Sequence, residues 1–493
     1  MLSKAKDEKM QRETGILLPM FSLPGEYGIG TMGKEAYAFV DFLKAAGQDF
    51  WQLLPLCPVG QGNSPYSSPG SFAGEMLLID LERLAADGLL SEEEIAPPAF
   101  PSKIDYEAVR AWKIPLLRKA ASRFDETDRD FCRFTAENAG WLEDFAVFSA
   151  IKEETGGAPL AEFPDGLKYH QPDAVADWSA AHAQTVAFYR ITQYFFYRQF
   201  FALKTYAEHN GIGLIGDIPF YVQLESADVW SDPSNFLLGR DLTPVLVAGV
   251  PPDAFSEDGQ LWGNPVYDWA HQRSTDYAFW KARLRHQAAL YDVIRIDHFR
   301  AFADYYTCAY GAKDAKNGVW EKGVGLPFWE RMREEIPARI VAEDLGTDSE
   351  AVRRLIRETG FPNMKVLQFA FDSDGYNPHL PKNYDHNCVC YTGTHDNDTT
   401  RGWFESLDEW RRRAFAEQVP EDESHSAVYS LIAEAMRSKA GLVIIPVQDY
   451  LQQDSSARLN VPGMPTGNWE WRMKLGDCSE DLCKTIRRLC RER

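Results

Sequence analysis

The chain has no run of apolar residues near membrane-spanning length. Its first residues, Met1-Leu2-Ser3-Lys4-Ala5-Lys6-Asp7-Glu8-Lys9, are too charged to hold the apolar stretch of a secretory signal, so a cytoplasmic protein is expected. Cysteine is sparse, with eight in 493 residues and no Cys-x-x-Cys pair, which argues against a zinc or dithiol site and predicts free thiols. Positive charge is also short. With 52 Lys and Arg against 73 Asp and Glu, the net charge of -21 argues against nucleic acid or an anionic membrane as partner and suits a neutral substrate. A Gly-rich dinucleotide fingerprint, internal repeats and low-complexity tracts are all missing. Asp372-Ser373-Asp374-Gly375 hints at calcium but lacks the remaining ligands of a calcium loop, so no metal or other cofactor is implied.

What the chain does hold is three acidic segments in order: Arg295-Ile296-Asp297-His298-Phe299-Arg300, Ala342-Glu343-Asp344-Leu345-Gly346 and Thr394-His395-Asp396-Asn397. Each directly follows an apolar run, Val293-Ile294, Ile340-Val341 and Cys388-Val389-Cys390-Tyr391, which places carboxyl groups at strand ends. One such acid could simply cap the helix that follows. Three together, each beside an Arg, a His or a second acid, suggest glycosidic bond chemistry. That chemistry needs one carboxylate to attack or stabilise an oxocarbenium-like centre and a protonated one to deliver a proton to the leaving oxygen.

Buried-type strands are expected at Gly15–Leu23, Phe50–Leu56, Ile212–Phe220, Val293–Asp297, Arg339–Glu343, Met364–Phe369, Cys388–Thr392 and Leu442–Val447. Helical spacing lies between several of them, at Gly33–Ala46, Ala183–His209, Tyr277–Ala289, Ser349–Arg357 and Ser424–Lys439. About eight repeats of strand and helix, with continuous apolar strands, favour an α/β fold of the (β/α)8 barrel type over an open doubly wound sheet. A single catalytic domain over 1–493 is expected, with a mostly helical insertion at about 67–177 and a lid or rim at about 222–274.

Strand alternation puts Arg295 and Asp297 on one face, where a guanidinium would keep the acid ionised. Alternation does not decide between Glu343 and Asp344, nor between Asp396 and Asp398. The three acidic segments, with Ser64-Pro65-Tyr66-Ser67-Ser68, Gly216-Asp217-Ile218-Pro219-Phe220-Tyr221, Pro251-Pro252-Asp253-Ala254-Phe255, Trp262-Gly263-Asn264-Pro265, Asn460-Val461-Pro462-Gly463 and Asn468-Trp469-Glu470-Trp471-Arg472, resemble the amylomaltase or 4-α-glucanotransferase family, relatives of the α-amylases. The resemblance covers nearly the whole chain. It implies Asp297 as nucleophile, Glu343 as general acid and then base, and Asp396 as the acid that braces the distorted sugar.

Other residues are weighed beside these. His395 and His298 could bond sugar hydroxyls or fill the barrel mouth, and Asp217, ending the third strand, is expected to orient Arg295 or a sugar hydroxyl. Most of the 14 Trp, 21 Tyr and 29 Phe must be core, but Tyr66 and Trp262 sit in Gly/Pro-bounded loops and are candidates for stacking on glucose rings. Tyr221, Phe255, Asn468 and Trp469 are further rim candidates. The resemblance thus points to transfer of an α-1,4-glucan segment from a maltodextrin to the 4-hydroxyl of another glucan or glucose. A retaining α-glucan hydrolase using the same carboxylates is the enzymatic alternative, and a non-catalytic glucan-binding protein the other.

Overall fold

Each of the eight expected strand segments forms a short, almost wholly buried strand, because side chains such as Val, Ile and Leu on both faces leave no side that tolerates water. The computed structural model describes residues 12–252, 257–347, 349–372, 375–420 and 426–491. Its strands are β1 (Glu13–Leu17), β2 (Phe50–Gln52), β3 (Gly213–Ile218), β4 (Leu246–Val250), β5 (Gln260–Pro265), β6 (Val293–Ile296), β7 (Asp304–Ala309), β8 (Val319–Lys322), β9 (Arg339–Ala342), β10 (Asn363–Val366), β11 (Cys388–Tyr391) and β12 (Leu442–Pro446). β1, β2, β3, β6, β9, β10, β11 and β12 follow one another around a closed parallel barrel, the expected fold. Closure is made by β1 on β12, from Glu13 opposite Leu442 to Leu17 opposite Pro446.

Helices begin and end where the chain supplies caps. The Ser349 hydroxyl accepts a hydrogen bond from the Val352 amide at the start of helix Glu350–Thr359, and Gly360 ends it in the left-handed region. Between β2 and β3 the chain is mostly helical, including Tyr106–Arg123, Leu142–Glu154 and the long Ala183–His209, whose aromatic residues pack into the main core.

The rim differs from a simple loop. β4 and β5 pair antiparallel and join β7 and β8 in a four-stranded sheet of order β5-β4-β7-β8, beside the barrel strands that carry the acids. Periodicity did not mark it, since β8 is exposed at every residue and β5 contains Gly263 and Pro265.

Inside the barrel the layers are partly polar. The buried Tyr391 hydroxyl donates to Gln52 Oε1 at 2.9 Å, bridging β11 to β2, two strands that are not neighbours in the sheet. Gly216 leaves room for Tyr291, whose ring would lie 2.0 Å from a Cβ built there. That close approach fixes β3 one residue before Asp217.

Candidate active site

Strand register assembles the site. Asp217 on β3 lies opposite Arg295 on β6, and Ile296 lies opposite Ala342 on β9, so Asp297 and Glu343 leave neighbouring strands at the same level. The ladder continues one step further: the Asp297 amide donates to Ile218 O at 3.0 Å and the Glu343 amide to Ile296 O at 3.1 Å. These are carboxyl ends of barrel strands, the face on which such barrels carry their chemistry.

Arg295 is buried and holds two acids. Its Nη1 donates to Asp217 Oδ1 and Oδ2 at 2.8 and 2.6 Å, while Nη2 lies 3.0 Å from Asp297 Oδ1. The Asp217 side chain has no exposed surface and also accepts the Tyr66 hydroxyl at 2.8 Å. It therefore sits behind the site, positioning Arg295 and Tyr66. Arg295 does pull the Asp297 carboxyl down, but burial, together with the carboxylates of Asp217, Glu343 and Asp396, outweighs it and pushes that carboxyl up to about 8. The expectation that the guanidinium settles its ionisation is thus only half of the balance. Its side chain keeps 32% exposure, so solvent in the cleft tempers the effect of burial.

The two residues that alternation left open are separated by their partners. Glu343 Oε2 accepts the His298 amide and Oε1 the Leu345 amide, both at 2.7 Å, which sets it on the Asp297 side within the field of Arg295. Burial raises its carboxyl against Arg295 and those two amides. Asp344 instead accepts Asn363 Nδ2 at 3.0 Å and the Met364 amide at 3.1 Å, in the wall formed by β10. The Glu343 carboxylate is among the charges that raise Asp297, so ionising one of the two acids opposes ionising the other. Such a pair holding one proton can present one attacking carboxylate and one acid.

Asp396 comes from the loop after β11. Its Oδ1 accepts Asn460 Nδ2 at 2.6 Å and lies 3.4 Å from His395 Nε2, and its backbone carbonyl accepts Arg458 Nη2 at 2.7 Å. Asp398 is turned away, accepting the Ser455 hydroxyl at 2.7 Å. His395 is buried and stacks on Tyr66 with 5.1 Å between centroids and 17° between planes. Burial lowers its pKa, which favours the neutral ring.

A cleft of about 360 Å³ opens over Tyr66, Asp297, His395 and Asp396, with Asn460, Asn468 and Trp469 in its wall. Asn468 spends its amide inside the rim, accepting the Val461 amide and donating to Met464 O, both at 2.9 Å. Trp262 stands elsewhere, edge-on to His298 at 4.9 Å and 83° and next to Tyr221. His298 itself has left-handed backbone (φ 52°), and burial depresses its pKa to about 3. Phe255 lies outside the described residues, as do Ser373 and Asp374. Sequence reasoning gave no role to Asn460 or Arg458, since a loop amide and a loop cation carry no periodic signal; only the Asn460-Val461-Pro462-Gly463 segment, which Asn460 opens and Arg458 shortly precedes, pointed there.

A family model described as 4-alpha-glucanotransferase matches residues 18–477. The chain belongs to the 4-alpha-glucanotransferase family. It is 42% identical over 489 residues to the 4-alpha-glucanotransferase of Thermus thermophilus, covering 96% of this chain and 97% of that one. To the 4-alpha-glucanotransferase of Clostridium butyricum it is 40% identical over 479 residues, 95% and 98% of the two chains. Its fold is similar to that of amylomaltase from Streptococcus agalactiae in complex with acarbose, with TM-score 0.94, 36% identity and 97% and 98% coverage. Amylomaltase from Corynebacterium glutamicum shares the fold at 18% identity, TM-score 0.80, over 97% of this chain and 75% of that one. Among the described residues of this 4-alpha-glucanotransferase family member, no helix is long and apolar enough to cross a membrane, and no group of three or more His, Cys, Asp or Glu is placed to hold a metal ion.

Proposed function

We propose that this 4-alpha-glucanotransferase moves a segment of an α-1,4-glucan to the 4-hydroxyl of another glucan or glucose by retaining double displacement, as one catalytic unit. Asp297 is the nucleophile, Glu343 the general acid and then base, and Asp396 the brace on the distorted sugar. The observation that carries this reading is the pair Asp297 and Glu343 on adjoining strand ends, with Arg295 bonded to the first and its charge acting on the second.

In the first half, Glu343 gives its proton to the glycosidic oxygen as the bond from that oxygen to C1 breaks and an Asp297 oxygen bonds C1. The shortened glucan leaves. In the second half, the acceptor 4-hydroxyl passes its proton to Glu343 while its oxygen attacks C1 and frees Asp297. Asp396 has Oδ1 occupied by Asn460 and His395, which leaves Oδ2 to accept hydrogen bonds from the donor ring. Tyr66, with His395 behind it, provides a ring face for the donor. Trp262 serves the acceptor side. Asn468 acts by holding the rim loop.

All eight cysteines are free, which fits work in a reducing compartment, the cytoplasm. Chromatography of products from maltotriose tests the activity: a ladder of longer glucans plus glucose, with almost no net gain in reducing ends, is expected. Conversion mainly to short sugars, with reducing ends rising in step with bonds cut, would make the chain a hydrolase.

A further inference from the structure

A second cavity, of about 220 Å³, lies away from the acids, between the helical insertion and the rim. Its walls come from residues 70–73, the turn before helix Leu142–Glu154, helix Ala227–Ser231 and helix Ala278–Leu290. We propose that it is an accessory saccharide site, taking a pyranose segment of an oligosaccharide.

Three observations carry this. The first is the apolar wall: Phe72, Trp141, Phe145 and Phe279 line the cavity, the first two with nearly parallel rings (17°, 6.3 Å between centroids). Such rings suit the C–H faces of a sugar.

The second is that neither Lys nor Arg lines it among the described residues and His271 stands against three acids, so a phosphate or carboxylate ligand would find no permanent countercharge. The polar lining is mainly Asp144, Asp228, Asp232 and Asn235, with Ser231, Thr275 and His271 beside them, a set rich in acceptors for hydroxyl protons.

The third is that these acids are already engaged. Asp144 lies 2.9 Å from His170 Nε2, Asp232 Oδ2 accepts Asn235 Nδ2 at 2.7 Å, and Asp228 Oδ2 accepts the Ser71 amide at 2.8 Å. Their attraction for a cation is weakened, while their remaining lone pairs still accept from neutral hydroxyls. The size fits about one or two sugar rings, below the roughly 300 Å³ at which drug-sized ligands are usually held.

The wall segment 70–73 begins three residues after Ser67 of the catalytic cleft, so the ligand could be a free oligosaccharide or the far end of a long glucan. Gly140 offers a clean plug, since a Cβ there meets no atom within 4 Å.

Calorimetric titration of Asp297→Asn protein with maltose is expected to show two binding events. Adding Gly140→Phe should weaken one of them at least tenfold. In the otherwise unaltered chain, Gly140→Phe should leave the rate on maltotriose within twofold; raised KM for amylose in that variant identifies the glucan tail as occupant, and unchanged KM identifies free sugar. Gly140→Leu replaces it if the Phe variant does not fold. Crystals of the unaltered chain soaked in maltose should show the sugar against Trp141. A single event in the parent, two undiminished events in the plugged protein, or displacement of maltose by spermidine at this cavity would overturn the proposal. So would sugar density without a second event in solution, which is binding at crystal concentration only. The maltotriose rate reports on the catalytic reading separately.

Discussion

Asp297 and Glu343 carry opposite demands on one proton, and single-atom changes separate them. Asp297→Asn and Glu343→Gln keep shape and most hydrogen bonds while removing the proposed nucleophile and the proposed proton donor. Each is expected to lower kcat by at least about 10³-fold, with glucan affinity by calorimetry nearly unchanged. Asp297 also sets a pH dependence of stability. Its carboxyl is raised to about 8 in the fold, so the stability linked to its proton is fully present below the ordinary carboxylate range and is lost as pH rises through about 8. Asn cannot ionise. The melting temperature of Asp297→Asn should therefore equal that of the parent near pH 3.5 and exceed it by about 1 to 2 °C near pH 9, after allowance for solvent in the cleft. Equal melting temperatures at both values would show that burial does not strain this acid. Alternation made the shared face of Arg295 and Asp297 legible in the sequence. It could not rank Glu343 against Asp344, because that choice depends on what β6 and β10 offer across the gap, a His298 amide on one side and Asn363 on the other.

Strands written as unbroken apolar runs were legible, and all eight barrel strands fall within or within two residues of the expected segments. The sheet of β4, β5, β7 and β8 was not, because its pairing is long-range and its exposed strands have neither a buried face nor a clean alternation. The loop after β12 has no periodic signal either and was marked only by the family resemblance and the rim candidates Asn468 and Trp469, although it completes the site through Asn460. Asn460→Ala removes a hydrogen bond to a carboxylate, worth about 1.5 to 3 kcal/mol. It should lower kcat about tenfold to hundredfold with a smaller change in KM, and Asn460→Gln should recover little, since its longer side chain misplaces the amide. A loss confined to KM would assign Asn460 to substrate binding instead. At β3, Gly216→Ala drives a methyl into the Tyr291 ring. A stability loss of about 1 to 3 kcal/mol in urea unfolding is expected, with reduced kcat because Asp217 moves with the strand.

Over the whole molecule, the insertions and the side sheet build walls on a barrel whose mouth holds the acids, and on the proposed mechanism these walls govern what reaches the glycosyl-enzyme. Water stands at about 55 M, so transfer requires an acceptor that binds and excludes it. Trp262→Ala should raise the hydrolytic fraction of turnover on maltotriose several-fold while total bond cleavage falls less; an unchanged ratio would remove Trp262 from the acceptor side. The barrel also closes late. β1 has its second neighbour only in β12, more than 420 residues further along the chain. A nascent chain therefore presents two open parallel edges, on β1 and β11, until residue 446 has left the ribosome, and Asn460 reaches Asp396 later still. Contacts of such long sequence separation are slow to form and leave sticky intermediates. Synthesis is thus the stage at which this barrel has unpaired strand edges to expose.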